Sequence, residues 1–149
     1  MAENLLKEPI LELDRILQLI PQKPPFVMVD SLLEYTDLTG KTGFKISPDN
    51  ILVENEIFSE PGLIEHMAQS MSLWRGYQGF ASGLEKPKTG FIGAIKSVEI
   101  ISLPKVGSQV YTYVEILHEI MNVTSVGART EDENGKLLAT SEMKTVTVD

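Results

Sequence analysis

The chain contains no cysteine, which removes disulfides, thiolate nucleophiles and Cys-based metal sites together. Histidine is nearly as scarce. Only His66 and His118 occur, far apart and without the helical spacing of a metal-binding pair, so no metal and no cofactor is expected. Gly-rich phosphate loops are missing, and neither nucleotide fingerprint occurs. No apolar run approaches the about 18 residues of a spanning helix. The start, MAENLLKEPILELDR, is acidic and lacks the basic-then-apolar layout of a signal peptide. Positive charge is in short supply as well: 13 Lys and Arg face 21 Asp and Glu, a formal net charge of −8. A nucleic-acid partner is therefore not expected, because phosphate binding needs clustered Lys and Arg. One local basic patch could still hold an anionic small ligand. A soluble, cytoplasmic protein is the default reading.

What is present suits one domain. The chain has 149 residues, 42% of them apolar, enough for one core spanning 1–149. It has no internal repeat and no low-complexity tract. ILELDRILQLI places Leu13, Ile16, Leu17 and Ile20 at helical spacing, which predicts a short helix at about 10–20 that Pro21 stops. FVMVDSLLEYTD reads as a strand and KTGFKI, across Gly40, as its hairpin partner. Residues 47–58 read as a loop of turn formers. Ser59, Glu60 and Pro61 are a helix start, and that helix is expected to run to about Phe80 before Gly83 and Pro87 end the region. Ile64, Met67, Ala68, Met71 and Trp74 share its apolar arc, while Glu65, Gln69, Ser72 and Gly76 lie at i, i+4, i+7 and i+11 as a narrow polar-to-small stripe. Beyond it come strand patterns from Gly90 to Leu103, in QVYTYVEILHEI, in NVTSVGARTED and in KLLATSEMKTVTV, with hairpin signals at Pro104, Gly107 and Asn134-Gly135. Three or four strands in succession after one helix imply an α+β fold with an antiparallel sheet wrapping that helix. A parallel doubly wound sheet would need a helix between each pair of strands.

These residues carry a resemblance. LIPQKPPFVMVD, from Leu19 to Asp30, resembles the opening of the β-hydroxyacyl-ACP dehydratases. GLIEHMAQS, from Gly62 to Ser70, is similar to their central-helix motif, in which a glutamate stands four residues before the glutamine of an Ala-Gln pair. GFIGAIKSVEI followed by Pro104-Lys105-Val106-Gly107, and the terminal NGKLLATSEM, resemble the later strands of the same family. The likeness runs in one order from about Leu19 to Val148. It implies the hot-dog fold, a curled antiparallel sheet around one long central helix.

The resemblance also implies a site. It places the catalytic acid at Glu65 and its partner amide at Gln69. Dehydration of a 3-hydroxyacyl thioester removes a proton beside the carbonyl and expels the hydroxyl, so it needs a base, an acid and donors for the enolate oxygen. Backbone N–H groups around Gly62 could face that oxygen. Phe58, Met71 and Phe91 would line an apolar tunnel in which Ala68, Ser72 and Gly76 leave room for an acyl chain. The substrate would be an acyl thioester on acyl carrier protein or coenzyme A, and the assembly a homodimer or a heterodimer with another hot-dog protein.

One departure bears on the chemistry. The dehydratase base is a loop histidine ahead of the helix, and here that loop, ILVENEIFSEPG, contains none. Glu56 is the loop carboxylate that could stand in. His66 follows Glu65 and so points roughly 100° away around the helix, as a packed or interfacial side chain. His118, Lys96, Lys105 and Arg75 read as exposed or solvated. A retained glutamate with a lost histidine is similar to the accessory dehydratase-like proteins of aryl-polyene and flexirubin-type clusters. Three readings follow: a 3-hydroxyacyl-ACP dehydratase, a non-catalytic hot-dog subunit that pairs with an active one or binds acyl chains, and an acyl thioesterase.

Overall fold

A serine hydroxyl can take an orphan N–H of a helix's first turn, and proline's missing donor costs nothing there. The computed structural model, which describes residues 3–83 and 89–148, starts its long helix in this way. Helix α2 spans Glu60–Ala81, and the N-cap side chain of Ser59 accepts from the Gly62 N–H. The short helix α1 is Leu13–Leu19. It is shorter than the apolar spacing predicts, because Ile10 is drawn into an antiparallel bridge with Leu32. Pro87 lies outside the described residues.

The strands are β1 (Ser31–Tyr35), β2 (Thr39–Lys45), β3 (Val53–Glu54), β4 (Ile57–Phe58), β5 (Thr89–Ile100), β6 (Gln109–Ile120), β7 (Val123–Asp132) and β8 (Leu137–Val148). Six of them form one sheet in the order β1-β2-β6-β7-β8-β5, antiparallel at every junction. The loop expected over 47–58 contains the small β3–β4 hairpin, turned by Asn55 and Glu56 in the left-handed region at φ 51 and 64. The strand expected from Phe26 begins only at Ser31. Residues 26–30 stay outside the ladder, and their peptide groups find other partners.

Helix α2 packs against all six strands of the sheet. Such a helix is enclosed on most of its circumference, so it carries no simple apolar stripe. Leu63, Met67, Met71, Leu73 and Trp74 are buried against Val110 and Val114 of β6, Val126 and Ala128 of β7, and Leu138 and Met143 of β8. Each fully buried Leu or Met contributes roughly 1.5–3 kcal/mol. The Trp74 indole N–H donates at 3.0 Å to the carbonyls of Thr36 and Thr39, tying the helix to the β1–β2 turn. Gly40 lets the ring approach, because a Cβ there would lie 2.9 Å from Trp74 Cδ1.

The two helices meet at a second close approach. A Cβ on Gly76 would lie 1.9 Å from the carbonyl oxygen of Leu19, and a backbone atom cannot step aside as a flexible side chain can. Alanine in place of glycine gains up to about 1 kcal/mol of helix propensity, but overpacking costs about 1–3 kcal/mol, and more against backbone. Gly76→Ala is therefore expected to destabilise the protein and to part α1 from α2. Thermal unfolding should show a lower midpoint than wild type; a rise would mean that α1 yields at no cost.

Candidate functional site

Residues 26–29 run beside α2 before the Asp30 N–H reaches the Gly43 carbonyl of β2, and helix side chains satisfy the backbone of Phe26 and Met28. Gln69 does most of this work. Its Oε1 accepts from the Met28 N–H at 2.6 Å, and its Nε2 donates to the Phe26 carbonyl at 2.7 Å and to Glu65 Oε2 at 3.0 Å. Two acceptors and one donor around a single amide permit only one orientation of it. Gln69 is wholly buried, whereas Glu65 is half-buried one turn earlier. A carboxyl group that reaches solvent, with one oxygen held by a fixed amide, has its other oxygen placed for proton exchange with a bound molecule.

His66 occupies the next position and is fully enclosed. Its Nδ1 lies 2.7 Å from the Met28 carbonyl, which can only accept, so Nδ1 carries the proton. Burial pushes its pKa down to about 4, so the ring is neutral near pH 7 and Nε2 is an acceptor. Nε2 lies 2.8 Å from Thr112 Oγ1, which therefore donates to it, and Thr130 donates in turn to Thr112 over 2.6 Å. Ser70 donates to the His66 carbonyl at 2.8 Å, and Thr42 donates to Ser70 at 2.7 Å. The His66 ring stacks on Phe44 with centroids 5.8 Å apart. The expectation of a packed histidine holds. His66 meets Met28 at the carbonyl, while Gln69, which holds the Glu65 carboxylate, meets Met28 at the N–H.

The other expected site residues are dispersed. The Gly62 N–H, offered to a thioester oxygen by the sequence, is engaged by Ser59 Oγ at 3.4 Å. Gly62 lies under Phe58, whose ring a Cβ would meet at 2.5 Å. Phe58 and Met71 are core residues, while Phe91 is 51% exposed on β5. Two described cavities lie elsewhere. One of about 730 Å³ runs from Glu34 and Lys41 to Tyr113 and Arg129, and one of about 410 Å³ lies between Leu11, Asp30 and Tyr111. Glu56 is exposed at the tip of the β3–β4 hairpin, where its carbonyl accepts from the Val106 N–H at 2.9 Å. Ser72 is 7% exposed, and its hydroxyl is buried without a hydrogen-bond partner, as is Gln22 Oε1.

Two charged groups differ from their sequence reading or add to it. Arg75 is buried rather than solvated, bonded to Glu119 Oε2 at 2.9 Å and to Thr124 at 2.7 Å. Its aliphatic stem packs beside Gly90. Asp30, which closes the opening motif, accepts from the Lys45 N–H at 3.0 Å. Burial raises its pKa above the usual carboxylate range, against the opposing pull of that bond and of Ser31. Lys96 and His118 are exposed as expected; Lys96 pairs with Glu142 at 3.1 Å, and His118 contacts Ser125 at 3.1 Å. Sequence reasoning missed Phe26, Met28, Thr112 and Thr130, because backbone groups and threonines in strands leave no pattern that points to a helix.

Comparisons with known proteins agree on the fold. A family model described as ApeP-like, ApeP dehydratase, matches residues 14–148. No curated protein matches the chain in sequence. Among solved structures, the dehydratase heterocomplex ApeI:P from Xenorhabdus doucetiae is similar at a TM-score of 0.80, with 16% identity over 90% of this chain and 91% of that one. A hypothetical thioesterase from Streptococcus pneumoniae, solved with coenzyme A, is similar at 0.64, with 11% identity over 78% of this chain and 84% of that one. The E. coli PaaI protein from a phenylacetic acid degradation operon is similar at 0.62, with 10% identity over 77% and 80%. At these identities the neighbours establish architecture: a curled antiparallel sheet against one long helix, the hot-dog fold.

The depressed pKa of His66 makes stability depend on pH. The unfolded chain protonates this ring near its ordinary value of 6.5 and the folded chain near 4. The stabilisation is complete above 6.5 and is lost as pH falls towards 4, at about 1.4 kcal/mol per pH unit. Asp30, with its raised pKa, works in the opposite sense at the acid end of that window. Denaturant unfolding between pH 7 and 4.5 should show this slope, and His66→Leu should remove about one proton's worth of it. An equal slope in both proteins would assign the acid sensitivity to other groups.

Proposed function

The chain belongs to the ApeP-like dehydratase family, and from that premise we propose that it serves the dehydration of 3-hydroxyacyl thioesters carried on acyl carrier protein or coenzyme A. Glu65 is the acid and Gln69 the group that orients it. The observation behind this reading is the half-buried Glu65 carboxylate, bound through the Gln69 amide to Phe26 and Met28. In the reaction a base takes the proton next to the thioester carbonyl, the C3–O bond breaks, and Glu65 gives its proton to the departing hydroxyl. The products are a 2-enoyl thioester and water.

The base comes from a second hot-dog subunit. The chain has two histidines. One has both ring nitrogens engaged in the core, and the other lies towards the far end of β6, beside Ser125. The sheet has a suitable place for a partner. At one edge, the N-terminal stretch covers β1 through Leu5 N–H to Tyr35 O at 2.7 Å and Ile10 N–H to Leu32 O at 2.8 Å. At the other, β5 ends the strand order and exposes Phe91, Ile92 and Ile95. An apolar edge that no described strand covers is a template for pairing with another sheet. A partner seated there would add a wall to the acyl site. The engagement of both histidines also favours a second reading, in which the chain is a non-catalytic subunit that shapes its partner's site.

Turnover of a 3-hydroxyacyl carrier substrate separates the two. General acids typically contribute about 10²–10⁴-fold, so Glu65→Gln in the assembled complex should lose at least about a hundredfold in kcat while the fold persists. Equal rates for wild type and Glu65→Gln would make the chain the non-catalytic subunit. Binding offers a separate check. Ile95→Arg should leave the chain folded and weaken partner affinity by at least about tenfold in calorimetry, as loss of an interface anchor does. Unchanged affinity would move the interface away from β5.

A further inference from the structure

His66 holds the same piece of backbone as the acid's partner, from the opposite side. Gln69 grips Met28 at its N–H and His66 grips it at its carbonyl. Behind His66 stands a row of threonines. Thr42, Thr112 and Thr130 lie in register across β2, β6 and β7, and all three are fully buried. Thr112 and Thr130 supply the imidazole through Nε2, and Thr42 holds Ser70 one helical turn on. An apolar core would fill this space at less cost, since each buried polar group must be matched by a partner. The polar row therefore fixes how α2 is rotated over the sheet and ends at the Met28 carbonyl.

We propose that His66 is a positioning residue for Glu65: anchored by the threonine row, it immobilises the Met28 peptide so that Gln69 holds the carboxylate in one place. The inference rests on the reading of Glu65 as the acid. The relay is short. The imidazole fixes the Met28 carbonyl, the Met28 N–H fixes Gln69 Oε1, and Gln69 Nε2 fixes Glu65 Oε2. Without the imidazole, the Met28 peptide keeps the Gln69 contact at its N–H while its carbonyl loses its partner, Asn50 reaching only the side-chain sulfur, and the amide can follow a moving backbone. Small displacements of a reacting group are costly in rate, so the loss falls on kcat rather than on substrate binding.

The test uses the full chain with three variants. His66→Leu keeps the bulk and loses both hydrogen bonds. His66→Asn retains an amide donor for the Met28 carbonyl. Thr112→Val leaves the imidazole without its outer donor. The first readout is solvent exchange of the Gln69 side-chain amide protons by NMR on the chain alone. The second is kcat and KM of the assembled complex with a 3-hydroxyacyl pantetheine thioester. His66→Leu should speed Gln69 exchange about tenfold while the backbone amides of β6, β7 and β8 keep their protection. It should lower kcat about tenfold with KM within about twofold, and His66→Asn should restore both to within about threefold of wild type. If His66→Leu does not fold, Thr112→Val gives the same two readouts. Unchanged Gln69 exchange in the folded variant overturns the proposal, as does a loss confined to KM or a failure of His66→Asn to rescue. Should Glu65→Gln turn over like wild type, the dehydratase reading fails by itself, and the exchange measurement still decides whether His66 holds the clamp.

Discussion

A backbone that leaves its sheet must find hydrogen-bond partners, and much of this molecule is arranged around that requirement at Met28. The segment before β1 is apolar enough to enter the core but meets no strand until the Asp30 N–H donates to the Gly43 carbonyl. Its N–H and C=O groups would be costly to bury alone. Gln69 and His66 meet them from α2, so a polar amide and an imidazole sit where a helix in the core would otherwise carry Leu or Met. Once the amide is fixed by backbone, Glu65 inherits a fixed place. The packing of a chain segment and the orientation of a candidate acid are thus one problem with one solution.

Much of this was legible in the sequence. Spacing alone put Glu65 and Gln69 on one helical face, and Ser59-Glu60-Pro61 marked where that helix begins. The antiparallel order followed from successive strand patterns without intervening helices. The rest failed for identifiable reasons. FVMVD reads as strand because it is apolar and β-branched, but pairing depends on which edge is available, and that is a property of the whole sheet. Arg75 looked solvated because charge usually is; the Glu119 and Thr124 groups that let it be buried lie in strands far along the chain. The angular argument for His66 was sound about direction and silent about what lay there, since Met28 meets the imidazole at its carbonyl and Gln69 at its N–H. Of the residues expected along a tunnel, Phe58 and Met71 are buried in the core and Phe91 is exposed on β5.

The enclosure of α2 sets limits on change along the chain. Gly76 and Gly40 are places where another backbone or ring comes too close for a Cβ, and Trp74 ties the middle of the helix to the β1–β2 turn. Helix α2 is held at four levels: by its cap at Ser59, by the Met28 clamp, by Trp74 and by the Gly76 contact with Leu19. The side chains between these points face strands from one end of the sheet order to the other. Substitutions are therefore easier on β5, whose described residues are mostly exposed, than on the enclosed helix α2.

The covered β1 edge has a consequence for assembly size. A sheet with two bare edges can add neighbours without end, as fibrils do. Here the stretch around Leu5 and Ile10 occupies one edge from within the same chain, so edge-to-edge growth has a valence of one. In the proposed pairing through β5, the open end of each molecule would be consumed and a closed pair would result, in which neither member retains a described strand to offer a third. The N-terminal segment would then act as a chain terminator, with stoichiometry limited by a few backbone hydrogen bonds on the side of the sheet farthest from the junction.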